Sequence, residues 1–182
     1  MNLFVSCFAA ASLLCTGSCL ADDHAAQGPS CPSQVDRAEL ELSYERFDSS
    51  QWRDLLSRGC VDAAVALLQA YREANASRLT SDQVLEMYFH VGQAYAMSGR
   101  ETESIASFEH AQGANAPQEW SAYVGATLAF LHRDAVALAA ERARYAAAPH
   151  SSSMRLGFID GFIACPDRPY MEAVHCGMRM DH

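Results

Sequence analysis

Between residues 82 and 97 the side chains Leu85, Tyr88, Val91, Gly92 and Tyr95 return every three or four positions, the period of one helix face. Thr80-Ser81-Asp82-Gln83 stands directly before this run and predicts a capping box at its start. Ser98-Gly99 interrupts the pattern, and Ile105, Phe108 and Ala111 resume it over 101–112. Asn115, Pro117 and Gln118 open a further helix over 117–131, and after Arg133 another runs over 134–147. Helices joined by two or three residues must lie antiparallel, so these form pairs.

The flanks read in the same way. Leu40, Tyr44 and Phe47 predict one short helical segment over 35–47, and Asp48 or the serines after it can cap a helix over 51–58 that stops at Gly59. Val61, Val65, Leu68 and Tyr71 mark the next helix, 61–74. Beyond Pro149, Ser151 to Ser153 supply a cap for an almost uniformly apolar helix, 153–164, and Asp167-Arg168-Pro169 opens a last short helix towards His175. Ala dominates the apolar composition and β-branched residues are sparse, which strengthens the all-α reading. The expected organisation is an export segment over 1–21, a polar lead-in over 22–34, helical repeats over 35–148, and cap helices with a tail over 149–182.

One of the pairs repeats. Tyr88, Val91, Gly92, Tyr95, Gly99, Ser104, Phe108 and Ala111 have the spacing of large and small residues that resembles a tetratricopeptide repeat, departing at Ser104, where that family prefers Ala. Small residues at 92, 104 and 111 let two helices approach, and Tyr95 and Phe108 are expected as anchors between them. A weaker copy 32 residues on places Trp120, Val124, Thr127 and Val136 at signature positions. Gly59, Ala64, Leu68 and Tyr71 form another, 40 residues upstream. The resemblance implies a short solenoid of stacked antiparallel pairs with 151–176 as its cap.

It also implies a function. In that family the first helix of each repeat lines a concave groove that takes a peptide or helix of a partner protein. Carried onto this chain, the groove positions are Glu86, Phe89, Gln93 and Met97, joined by Arg53, Gln118 and Ser121 from the weaker repeats. The basic clamp residues of chaperone-binding members are not matched. The expectation is therefore a non-enzymatic adaptor or scaffold with a protein partner and no cofactor. Within 161–172, Arg168 and Tyr170 offer a second surface of interface-type residues.

Charge narrows the partner class. A formal net charge of −9 and a pI near 5.1 supply no basic face for phosphates, which argues against nucleic acid. All 13 basic residues are Arg, so neither Schiff-base chemistry nor a phosphate-loop lysine is available.

Residues 3–21 are uncharged, apolar and end in small residues before Asp22-Asp23, as a cleaved signal peptide does, and point to a periplasmic or secreted protein. Thr16-Gly17-Ser18-Cys19 also loosely resembles a lipoprotein cleavage box. Lipid on Cys19 would make the chain an outer-membrane-attached structural or assembly lipoprotein instead. No later apolar stretch reaches the ~18 residues that span a bilayer.

Three of the seven cysteines fall in the leader, leaving Cys31, Cys60, Cys165 and Cys176, an even number that suits an oxidising compartment. Of the three connectivities, Cys31 with Cys60 and Cys165 with Cys176 is expected, because each bridge ties an end segment to nearby chain. Their spacing does not suit zinc, and His90, His110, His132, His150 and His175 lie too far apart in sequence for a metal motif. Each reads as a surface or helix-end residue, and Cys176 beside His175 does not make a catalytic dyad.

Overall fold

The computed structural model describes residues 30–178, whose regular structure is helical throughout. The expected export segment, Cys19, His24 and His182 lie outside the described residues. Ten helices follow one another: α1 Arg37–Leu40, α2 Tyr44–Asp48, α3 Gln51–Ser57, α4 Val61–Ala74, α5 Ser81–Met97, α6 Glu101–Ala111, α7 Gln118–Leu131, α8 Ala135–Ala146, α9 Ser153–Ala164 and α10 Tyr170–Met178. α3 packs on α4, α5 on α6, α7 on α8 and α9 on α10, and these antiparallel pairs stack in chain order.

Local chemistry fixes most boundaries. The capping box at α5 is present, with Gln83 N–H donating to Thr80 Oγ1 at 3.2 Å and Thr80 N–H to Gln83 Oε1 at 3.0 Å. Ser152 and Asp134 cap α9 and α8 through their side chains. The expected single segment over 35–47 is instead two short helices broken around Leu42-Ser43. Side chains of α4 and its C-cap take the carbonyls there: Tyr71 Oη donates to Leu42 O at 2.9 Å, and Asn75 Nδ2 to Leu40 O at 3.1 Å.

The chain reverses in the same way after α3, α5 and α7. Gly59, Gly99 and Arg133 have φ of 77°, 75° and 58°. The next residue's N–H then reaches back five positions, Cys60 to Leu55 O at 2.8 Å, Arg100 to Tyr95 O at 2.9 Å and Asp134 to Ala129 O at 2.9 Å. Arg133 holds this left-handed conformation without glycine's freedom, and its guanidinium donates to Phe130 O at 3.1 Å while covering that ring.

These turns correct the register of the last repeat. The offset from Gly99 to Arg133 is 34 residues, whereas the sequence pattern places the weaker copy at 32. Val136, expected between the helices, is 82% exposed, and Leu138 is buried in its stead. In the pair α5–α6, Ser104 Oγ donates to Gly92 O at 2.9 Å in the interior, and a Cβ on Gly92 would come within 2.8 Å of the Phe108 ring. Phe108 is fully buried as expected, but Tyr95 is half-buried with Arg100 over its ring.

Two apolar cores result. One gathers Phe47, Trp52, Leu55, Leu68 and Tyr71 with Met87 and Val91. The other gathers Phe108, Tyr123, Phe130, Tyr145 and Phe162 with Phe89. α5 serves both, from different sides. At the C-terminal end α9 and α10 cross almost backbone to backbone: a methyl on Gly161 would strike the carbonyl of Ala173, and one on Gly177 the carbonyl of Gly157. Both expected disulfides form, Cys31 with Cys60 and Cys165 with Cys176, with Cα atoms 5.4 and 6.4 Å apart.

Candidate functional site

Along α5, residues 86, 90, 93 and 97 recur at steps of four, three and four, which sets their side chains in one stripe. The N-terminal helices meet this stripe from one side. Tyr44 Oη donates to Glu86 Oε2 at 2.7 Å. Asp48, the last residue of α2, places Oδ1 2.8 Å from His90 Nε2, an ion-pair distance although off the line of a straight N–H bond. Arg53 grips the same carboxylate through its guanidinium at 2.9 and 3.0 Å. The Trp52 ring, held by Nε1 donating to Phe47 O at 3.1 Å, lies 4.8 Å from the imidazole.

From the other side comes α10. His90 Nδ1 is 3.1 Å from Gln93 Oε1, and Gln93 Nε2 donates to Tyr170 Oη at 3.5 Å. A continuous polar path therefore runs from Arg53 through Asp48, His90 and Gln93 to Tyr170, across four helices. Asp48 feels opposing influences: burial pushes its carboxyl up, and His90 and Arg53 together outweigh this and hold it below the usual range. Burial, reinforced by the Glu86 carboxylate, pushes the Tyr44 phenol up. Tyr170, pushed to about 12 by burial, stays protonated as a neutral hydrogen-bonding group.

Hollows flank the stripe at both ends. Near its start, Glu86 joins Asp82, Glu119, Trp120 and Arg155 around about 170 Å³, with the Arg155 guanidinium over the Trp120 and Tyr123 rings. Near its end, Met97 joins Phe130, Arg168, Pro169 and Tyr170 around about 120 Å³. The face offers a carboxylate, an amide, a thioether and aromatic edges. Among the described residues, no group of three or more His, Cys, Asp or Glu is placed to hold a metal ion. Cys176 is consumed by its bridge to Cys165, which leaves no thiol beside His175.

The expected groove residues are distributed unevenly over this face. Gln93 and Arg53 lie on the polar path, Glu86 stands beside it on the same stripe of α5, bonded to Tyr44, and Met97 is exposed at the end of that stripe. Phe89 is corrected: at 4% exposure it packs against Phe108, Trp120 and Tyr123, because the next pair covers that side of α5. Gln118 is exposed on the first turn of α7, and Ser121 donates to Ala116 O at 3.4 Å, both away from the path. Tyr170 is also corrected, since it is buried against Phe162 and Phe130. Its expected neighbour Arg168 is exposed, 3.6 Å from Glu172. His90, read as a surface residue, is 8% exposed and sits at the centre of the path. Its position three residues before Gln93 was the available signal, whereas Asp48 and Trp52 arrive from a separate helix pair.

No family model matches the chain, and no curated protein and no solved structure matches it.

Proposed function

We propose that the protein is a tetratricopeptide-repeat-like interaction module, without catalytic chemistry of its own, that binds a peptide or helix of a partner protein along the α5 face. The observation that carries this reading is the stripe Glu86, Gln93 and Met97, bordered by Arg53 and by a hollow at either end. An amphipathic segment lying across the stripe would place one apolar side chain in each hollow and polar groups against the amide and carboxylate between them. Stacked pairs with a common turn support it, since such stacks hold a face rigid over several helices. The module is assigned to an oxidising space outside the cytoplasm, periplasmic or secreted, on the strength of two disulfides. Among the described residues no helix is long and apolar enough to cross a membrane.

Affinity capture from envelope extract tests the reading, comparing the mature protein with a variant carrying Glu86→Ala and Met97→Asp that keeps its helical circular dichroism. Phe89 is left intact because truncating it would empty the core. A protein retained by the wild type and lost by the variant is the expected result. Identical captured proteins for both would reject the α5 face.

A further inference from the structure

We infer that two copies of this chain meet about a twofold axis on the outer face of α8, Val136 of each entering the apolar hollow beside α8 of the other. Val136 is 82% exposed, the most open of the large hydrophobic side chains among the described residues. Less than one helical turn away, Phe130, Leu138, Ala139, Ile163 and Pro166 line a hollow of about 190 Å³ where the α7–α8 turn meets the end of α9. An apolar space of about 150 Å³ accommodates a benzene molecule, so a branched aliphatic side chain has room here. Ile163, itself 43% exposed, forms the α9 wall.

A second copy is the occupant that this surface fits, because knob and hollow sit side by side on one element. Rotation by 180° about an axis passing between them seats both knobs at once, as an isologous contact requires. The two α8 helices must then approach closely. Apart from Arg144, every exposed position of α8 is Ala or Val136, so no long side chain stands in the way. α6, which holds the same place in the preceding pair, exposes Glu101, Glu103 and Glu109 instead. In a chain of net charge −9, α8 is thus a face on which two copies meet without opposing carboxylates. Charges of both signs border the hollow, Arg133 against Asp134 and Asp167, and each copy brings the other's opposite. Arg133 is available for this, since its pair with Glu101 is long at 3.7 Å and half exposed. The contact joins monomers that already have their own cores, so at dilutions where the copies are apart Val136 has no bearing on unfolding. The α5 stripe takes no part in it, and the pairing goes beyond the proposed binding role and holds whether or not a partner docks there.

Sedimentation velocity tests it on the mature protein from about 1 to about 200 µM, the range suited to a small interface. The wild type is expected to pass from monomer to dimer as concentration rises. Val136→Arg and Ile163→Arg, one from each side of the contact, should each raise the dissociation constant at least about tenfold while keeping the helical circular dichroism. Both substitutions make the chain less negative, so a lost dimer is not the result of added repulsion between like-charged copies. A wild type that stays monomeric throughout overturns the second copy as occupant and leaves the hollow to a different protein or a lipid chain. A dimer that survives both substitutions places the contact elsewhere and overturns the proposal as well. Should one variant not fold, the other decides, because Val136 and Ile163 stand on different helices.

Discussion

The Phe108 ring lies against the bare Cα of Gly92, so close that a methyl there would meet it at 2.8 Å. Phe108→Ala, at a fully buried position, is expected to cost ~3–5 kcal/mol. Gly92→Ala would gain ~1 kcal/mol on an open helix. Here it is expected to lose ~1–3 kcal/mol through overpacking. Urea midpoints measure both, and a Gly92→Ala midpoint at or above wild type would mean that the ring can move aside.

The crossing of α9 and α10 leaves even less room, because backbone carbonyls, not a rotatable ring, oppose the glycines. Gly161→Ala and Gly177→Ala are each expected to lower stability by about 1–3 kcal/mol or more. Gly157→Ala provides the contrast, since open space surrounds its Cβ direction. Thermal unfolding of the three variants should separate it from the other two.

The bridges constrain the unfolded chain unequally. They close separations of 29 and 11 residues, for which loop-closure entropy gives about 3.6 and about 2.8 kcal/mol. Replacing Cys31 and Cys60 by Ser should therefore destabilise more than replacing Cys165 and Cys176, as judged from chemical denaturation of each double variant.

Acid should act through Asp48. Its carboxyl is held below the ordinary range by His90 and Arg53, so its contribution is complete above the usual carboxylate pKa and is lost as pH falls through the lowered one. The stability gap between wild type and Asp48→Asn is expected to narrow as pH is taken from 6 towards 2. A gap that stays constant would remove Asp48 from the acid limb.

Where sequence and structure agree, the signal was local. The α5 capping box, the Gly59 and Gly99 turns and the pairing of nearby cysteines depend on residues a few positions apart or on chain ends with few partners. Register in the third pair was lost because Arg133 occupies a turn position that glycine marks in the other two, so the repeat lacked its clearest punctuation. Leu138→Ala is expected to cost ~2–5 kcal/mol. Val136→Ala should stay within about 0.5 kcal/mol, and midpoint measurements on the two would check the corrected register. The polar path was less legible still. Its members are contributed by α2, α3, α5 and α10, and whether Phe89 or His90 turns inward depends on which neighbouring pair covers each side of α5.

Because α5 is a wall shared by both cores, the molecule resembles two cooperative blocks riveted through one helix. Met87 and Val91 belong to the N-terminal block, while Phe89 and Ala96 belong to the other. Nearest-neighbour coupling of this kind lets one block open while the other keeps its packing. Such an opening on the N-terminal side would bare one flank of α5 and leave its second flank clamped, turning a structural rib into an edge at which the chain can be read.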